Sequence, residues 1–549
     1  MVVTSTETTR CRATCRRSAV AVRDGLLARH GLPAIVLICV LGAGDLSAQS
    51  RSRGTQPVPG HAHSTAEPAA TVVVPDADAT EWFARPLVVD SNSARTALKK
   101  FTKLTGTNSS NPSVLGALNN LAGYDHPIIV DGLLELFAHG RPHLLPTARR
   151  VLASLSSEPS LERIAEAGLA HGDAAVREQV LLALANGRPS GLDWIAAAEH
   201  ALADKDAAVR AAAVRAVGLG RQANATGALI DLADDPAQRV RMAVPEALVR
   251  LAGQRSLPVL RALSRDPQWR VRVSVVSALI DLKSMRAVVE LIDMLGREEG
   301  RVREDILNAL RKLTGKSHGL NMKAWERFLE IAPKDFLSLA DADALGTTRP
   351  VTTVARYYGL WTLSNRFLFI TDLSTSMDHV DPGRYGNEIR TTRLALTQQE
   401  LTDLVDDLED NVQFSLATFS DQTSLWREDM AKATPRNKTA ALREIDKYRT
   451  IGGTNIFSSL KAAFDLAQDQ LDSKSNDHPA PDTVFLLTDG EPSVGSLTDV
   501  ELLLEYVAER NRVLGLRFQC IALTRQVGAR DFLARLAKRS GGQYVSPLD

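Results

Sequence analysis

Asp372, Ser374 and Ser376 are spaced as Asp-x-Ser-x-Ser, Thr454 follows Gly452-Gly453, and Asp489 stands before Gly490. Three hydroxyls and two carboxylates make a set of hard oxygen donors. That is the chemistry of Mg2+, which takes oxygen ligands in near-octahedral geometry and keeps several waters. Taken singly, Ser, Thr and Asp at strand-to-helix turns are ordinary loop caps. Asp372, Ser374 and Ser376 follow one expected strand, Thr454 precedes an expected helix, and Asp489 ends another expected strand.

Those strands are continuous apolar or near-apolar runs: 367–371, 412–418, 483–488 and 518–523, with shorter ones at 424–426 and 543–545. Helical patterns over 393–408, 439–447, 456–470, 499–513 and 529–540 alternate with them. Such alternation predicts a doubly wound α/β domain, a parallel sheet with helices on both faces. Strands buried on both faces read as unbroken apolar runs. Ligands in such sheets bind beyond the carboxyl ends of the strands, where the connection direction reverses.

With Asp-x-Ser-x-Ser, a Thr in a later loop and an Asp after a later strand, residues 367–549 resemble the von Willebrand factor A (VWA) family, which includes the integrin inserted domains. The resemblance implies a metal-ion-dependent adhesion site built from Asp372, Ser374, Ser376, Thr454 and Asp489. It implies Mg2+ as the cofactor, with Mn2+ or Ca2+ as alternatives. Ser374, Ser376 and Thr454 would then offer hydroxyls to the ion, and Asp372 and Asp489 would act mainly through water and outer hydrogen bonds. The ion keeps much of its charge, and a partner's Asp or Glu completes its shell. The stretch 377–390, with Asp378 and Asp381, is longer and more acidic than that pattern requires, and is read either as a solvated insertion or as a loop that shapes partner access.

A second pattern lies upstream. Val-Arg pairs recur at Val176-Arg177, Val209-Arg210, Val240-Arg241, Val271-Arg272 and Val302-Arg303, at intervals of 31 to 33 residues. Ala follows each Val by seven residues, at 183, 216, 247, 278 and 309, and an acid precedes it: Asp173, Asp206, Asp235, Asp266 and Glu299. The acid fits a helix start, where it caps free amides. Val and Ala then share a face two turns apart, and the small Ala lets helices approach closely. These units resemble short HEAT repeats, which implies an all-α solenoid over 96–332 with an extended binding surface. The recurring Arg is expected to pair with an acid of its own or the next unit and so knit the stack. Gly315-Lys316-Ser317 is no phosphate loop, because the first glycine of that motif would fall at Leu310, within a repeat helix.

The chain of 549 residues is too long for one core. Its 65 basic and 65 acidic residues cancel, which removes the electrostatic signature of a nucleic-acid binder. Residues 1–48 read as a signal peptide: arginines from Arg10 to Arg29, then an apolar run over 32–44, shorter than the about 20 residues of a spanning helix. Residues 49–95 read as a disordered leader and 333–366 as a linker. Cys11, Cys15 and Cys39 precede the expected cut, so Cys520 stays unpaired in a core strand.

The expected function is a non-catalytic, exported adhesion or scaffold protein with no membrane span after cleavage. Its VWA-type site would capture a protein partner presenting an Asp or Glu, and the solenoid would be a second interaction surface. The alternative is an accessory subunit of an AAA-type ATPase machine for remodelling or metal insertion. No nucleophile elbow, zinc-protease helix or Cys-His pair points to an enzyme.

Overall fold

The computed structural model describes residues 90–106, 111–139, 141–187, 192–332, 354–380, 391–472 and 480–548. The signal segment, residues 49–89 of the expected leader, the link 333–353 and residues 381–390 lie outside the described residues; residues 91–95, the end of the expected leader, are helical, because Asp90 accepts from the amides of Asn92 and Ser93 and starts a helix.

The amino-terminal half is helical: α1 (Ser91–Thr105), α2 (Asn111–Asn120), α3 (Pro127–His139), α4 (Leu145–Ser154), α5 (Glu158–Arg163), α6 (Ala174–Gly187), α7 (Trp194–Ala201), α8 (Ala207–Gly220), α9 (Thr226–Asp231), α10 (Gln238–Ala252), α11 (Leu257–Leu263), α12 (Trp269–Leu282), α13 (Met285–Arg297), α14 (Gly300–Thr314) and α15 (Met322–Ile331). The helices that carry the Val-Arg pairs, α6, α8, α10, α12 and α14, pack in one row, each on the next. All five Val residues of the pairs and the five Ala residues seven positions later are buried. Approach is close enough that a Cβ on Gly218 of α8 would lie 2.8 Å from Ala247 Cβ of α10. Trp325 and Phe328 of α15 meet edge to face, their ring centroids 6.0 Å apart, at the end of the stack.

The recurring arginines form a ladder between units. Arg177 pairs with Asp204 at 2.8 Å, Arg210 with Asp235 at 2.8 Å, Arg241 with Asp266 at 2.6 Å and Arg272 with Glu298 at 2.9 Å. Each of these guanidiniums also donates to a carbonyl six residues before it, as Arg210 does to Asp204 O at 2.8 Å and Arg241 to Asp235 O at 2.8 Å. The accepting carboxylates in turn hold the turn of their own unit: Asp204, Asp235 and Asp266 accept from the amides of Asp206, Ala237 and Gln268, each at 2.8 Å. Capping by the preceding acid holds at Asp173 and Asp206. It does not extend to Glu299, which makes no side-chain capping bond among the described residues, nor to Asp235 and Asp266, which lie before the caps Ala237 and Gln268. Their carboxylates are committed to the neighbouring unit's Arg, a stronger charge-assisted partner than a free amide.

The carboxy-terminal part opens with an antiparallel hairpin, β1 (Ala355–Tyr357) and β2 (Leu360–Thr362), which the composition of the link did not suggest. Tyr358 and Gly359 both take positive φ at its turn, +48° and +87°. The main sheet follows, with β3 (Arg366–Asp372), β4 (Gln413–Phe419), β5 (Thr423–Leu425), β6 (Ala431–Lys432), β7 (Thr483–Thr488), β8 (Arg517–Ala522) and β9 (Tyr544–Val545). Its order is β5-β4-β3-β7-β8-β9, with β6 also on β4; β3, β4, β7, β8 and β9 are parallel, while β5 and β6 run antiparallel.

Helices α16 (Arg393–Asp407), α17 (Pro435–Ile445), α18 (Ile456–Asp472), α19 (Val500–Leu514) and α20 (Val527–Ser540) cover both faces. Alternate side chains divide between two cores, with Leu368 and Ile370 on the side of α18, α19 and α20, and Phe367 and Phe369 on the side of α16 and α17. Two-sided burial explains the unbroken apolar strands. Helix α17 begins four residues earlier than the apolar pattern suggests, because Thr434 accepts from Asn437 N and Pro435 suits the first turn. Cys520 is fully buried in β8 and its thiol is pushed well up by burial, in keeping with a core residue. No helix among the described residues is long and apolar enough to cross a membrane.

The solenoid and the sheet belong to one compact unit. The solenoid's row of helices meets the amino-terminal ends of β3, β7 and β8, together with α19. Arg301 of α14 donates to Asp482 O at 2.6 Å and Gly515 O at 2.8 Å. Arg517 at the start of β8 pairs with Glu304 and Asp305 of α14. Glu304 also accepts from Thr362 Oγ1 at 2.8 Å and Leu363 N at 2.9 Å. Farther along the row, Arg149 of α4 pairs with Glu509 of α19 at 2.7 Å and Glu178 of α6 with Arg512 at 3.3 Å.

Candidate functional site

The sheet reverses direction beside β3. The chain passes from β3 to β4 on one side and returns to place β7 on the other, so the carboxyl ends of β3 and β7 form the switch point. Asp372 is the last residue of β3, and Asp489 stands one residue past β7. Topology alone therefore brings together two carboxylates 117 positions apart in the sequence.

Local hydrogen bonds fix the rest. Asp372 is wholly buried; its Oδ1 accepts from Ser374 N at 2.7 Å and its Oδ2 from Thr488 Oγ1 at 2.5 Å. Burial pushes its carboxyl up to about 6; the hydrogen bonds from Thr488 and Ser374 oppose this, and the charge of Asp489 adds to it. Ser374 Oγ lies 3.0 Å from Ser376 Oγ, and Ser376 donates to Asp489 Oδ1 at 2.6 Å. Ser376 itself is exposed, so the cluster reaches solvent on that side.

The loop carrying Thr454 is bonded to the first loop. Ile451 N donates to Leu373 O at 2.7 Å and Thr375 N to Gly452 O at 3.2 Å. Gly452 has φ +70°, and a Cβ there would lie 2.7 Å from the Asp421 carboxylate, which accepts from Gly453 N at 2.8 Å. Both the backbone angle and the space at position 452 thus call for glycine. The buried Thr454 donates its amide to Ser493 Oγ at 2.9 Å, and its hydroxyl lies against Gly490, 3.3 Å from where a Cβ would stand. All five residues expected to form the site stand together.

Three further residues belong to it. Thr488 holds Asp372 from the neighbouring strand, Asp421 shapes the glycine loop, and Arg393, the first residue of α16, pairs with Asp489 Oδ2 at 2.7 Å. Thr488 lies one residue before Asp489 in an apolar strand, and a hydroxyl there was the available signal. Arg393 carries no local signal, because its partner lies 96 residues away.

The donor set fits a hard divalent cation: three hydroxyls and two carboxylates share one end of the sheet, and a cation beside Asp372 would offset the cost of its buried charge. Among the described residues no group of three or more His, Cys, Asp or Glu is placed to hold a metal. A cation here would rest on hydroxyls as much as on carboxylates.

The fold is thus a helical-repeat solenoid joined to a VWA-type α/β domain. Residues 194–280 match the family of HEAT repeats, and residues 65–170 and 395–546 match the von Willebrand factor type A domain. The elements described within the first VWA segment are all helices, and the second segment covers the sheet from β4 onward, leaving β3 with Asp372, Ser374 and Ser376 outside both matches. Similar proteins include inter-alpha-trypsin inhibitor heavy chain 4 of Mus musculus, 31% identical over 24% of this chain and 13% of its own, and heavy chain H4 of Homo sapiens, 33% identical over 25% and 13%. The chain therefore spans about an eighth of the length of these relatives. Similar solved structures include a von Willebrand factor type A protein from Catenulispora acidiphila (18% identity, 34% of this chain and 39% of that one, TM-score 0.26) and the PilB minor pilin from Streptococcus sanguinis (16%, 33% and 57%, TM-score 0.26). A VWA-type domain points in general to protein–protein interaction or adhesion.

Proposed function

We propose that this is an exported, non-catalytic binding protein that captures an acidic side chain of a protein partner through a divalent ion. Asp372, Ser374, Ser376, Thr454 and Asp489 would hold Mg2+, Mn2+ or Ca2+, and the ion would supply a Lewis-acidic position for the partner's carboxylate. The observation that carries this reading is the gathering of these five residues into one cluster at the switch point, with Ser376 open to solvent. The solenoid grips the opposite ends of the strands, so it serves as a rigid base, and only its uncovered surface is left as a second interaction face.

The test is Mn2+ binding to the full chain, followed by electron paramagnetic resonance and by thermal unfolding with and without EDTA. At an ion concentration a hundred times Kd, binding should add about 2.7 kcal/mol of stability. Asp372→Ala should abolish both signals, and pull-downs should lose the same partners in Asp372→Ala and in EDTA. A wild-type chain with no ion-dependent stabilisation, or a variant that keeps it, would overturn the reading. Export is tested separately, by sequencing the amino terminus of the mature protein from fractionated cells; a start near Gln49 is expected, and an intact amino terminus in the cytoplasm refutes it.

A further inference from the structure

Arg393 stands where a cation site would be expected to keep its negative charge. Its guanidinium is 2.7 Å from Asp489 Oδ2, its side chain is 13% exposed, and that of Asp489 is fully buried. The other oxygen of Asp489 accepts from Ser376 at 2.6 Å, so both oxygens of this carboxylate already have donors. Arg393 is held at the start of α16, where Thr392 accepts from Ala395 N at 3.1 Å and Arg393 N donates to His379 O at 3.0 Å. The planar fork of arginine and its permanent charge make it a persistent partner for a buried carboxylate.

Resting on the divalent-ion reading of the same cluster, we propose that Arg393 is a specificity-determining residue that couples the ion to an anionic ligand. Asp372 and Asp489 alone carry two negative charges when ionised, and a divalent ion would bring the group to neutrality. With Arg393 on Asp489 these two buried carboxylates carry one net negative charge, and the divalent ion leaves them one positive; Asp421, the third acid of the site, is exposed and its charge is screened by water. A ligand carboxylate then closes the balance. Arg393 therefore weakens the hold on the bare ion and strengthens the demand for an acid. At such short range inside a protein, one unit of charge is worth several kcal/mol even at an effective dielectric constant of about 20. The bare-ion affinity should consequently move by at least about tenfold.

The experiment titrates Mn2+ into the full chain by electron paramagnetic resonance, with and without acetate as the carboxylate probe, for wild type, Arg393→Gln, Arg393→Lys and Asp372→Ala. Arg393→Gln should bind bare Mn2+ at least about tenfold more tightly than wild type and should lose most of the tightening that acetate gives wild type. Arg393→Lys keeps the charge and should behave like wild type, which guards against a folding artefact in the glutamine variant. Equal or weaker Mn2+ binding by Arg393→Gln overturns the role of Arg393 while wild-type binding leaves the site itself standing, and so does tighter binding by Arg393→Lys. Binding by Arg393→Gln alone supports the coupling in its strongest form. If no variant and no wild-type chain binds Mn2+, both the coupling and the ion site fall.

Discussion

Replacing Arg517 by Met should unlock the solenoid from the sheet. Arg517 is 2% exposed and pairs with Glu304, 1% exposed, and with Asp305, 16% exposed. Methionine keeps most of the chain's length but leaves Glu304 charged and buried without a cation. Removing one member of a buried ion pair costs about 3–5 kcal/mol. The lower end applies here, because Glu304 retains Thr362 Oγ1 and Leu363 N as neutral donors and Asp305 retains Arg301 at 3.2 Å. The expected loss is therefore about 3 kcal/mol.

Urea unfolding of the full chain followed by tryptophan fluorescence reads this directly. Trp269 lies at the joint, with the guanidiniums of Arg270, Arg366 and Arg301 at 4.7, 5.1 and 5.8 Å from its ring. The chain has 6 tryptophans, so the comparison is with Trp269→Phe, whose missing signal isolates the joint; that signal should change at lower urea in Arg517→Met, ahead of the unfolding of the sheet. Glu304→Gln in the Arg517→Met background should restore part of the loss, with a coupling of about 0.5–3 kcal/mol. A loss below about 1 kcal/mol, or strict additivity of the two changes, would refute the claim that this pair holds the modules together.

The arginine ladder should show the same dependence on paired charge. Arg241→Met leaves Asp266 buried with a turn amide in place of a cation, and chemical denaturation should report a loss of about 3 kcal/mol; a loss near zero would return the ladder to surface decoration. His143 supplies a pH test. It is 5% exposed, in a turn packed against α19, and neither ring nitrogen has a hydrogen-bond partner among the described residues; burial, aided by Arg141, lowers its pKa from 6.5 to about 4. A depressed histidine contributes stability that is present above pH 6.5 and is lost as pH falls through 4, up to about 3 kcal/mol. Wild type should therefore lose stability relative to His143→Leu between pH 6.5 and 4, and parallel pH profiles of the two proteins would sink this assignment.

What the sequence made legible follows the range of the interactions. The Val-Arg period and the Ala seven positions on are local, and every one of those Val and Ala side chains is buried where the period places it. The apolar strands were legible because two-sided burial leaves no polar alternation to confuse them. Asp372, Ser374 and Ser376 share one turn, and Thr454 and Asp489 sit at strand or helix ends that the pattern locates. Beyond that range the signal stops. Nothing near Arg517 announces Glu304, 213 residues away, and nothing near Arg393 announces Asp489. The hairpin β1–β2 was missed for a related reason. It is too short for periodicity to register, and Thr362 and Leu363 at its end find their partner in Glu304 of the solenoid.

The two ends of the sheet differ in how their buried carboxylates are balanced. At the amino-terminal end, Asp482 accepts from Arg366 at 2.8 Å, from Ser364 at 2.5 Å and from Thr483 at 2.9 Å, while its carbonyl takes Arg301. Arg366 and Arg301, with the hydroxyls of Ser364 and Thr483, outweigh burial and hold the Asp482 carboxyl below its usual value. At the carboxyl end, Asp372 has hydroxyl and amide donors and is pushed up to about 6 by burial. A carboxylate satisfied within the chain makes a joint. At the carboxyl end Arg393 balances Asp489 and leaves Asp372 with neutral donors alone, the charge that the proposed ion would offset. The same residue type thus closes one end of the sheet onto the solenoid and leaves the other end chemically open, where Ser376 meets solvent.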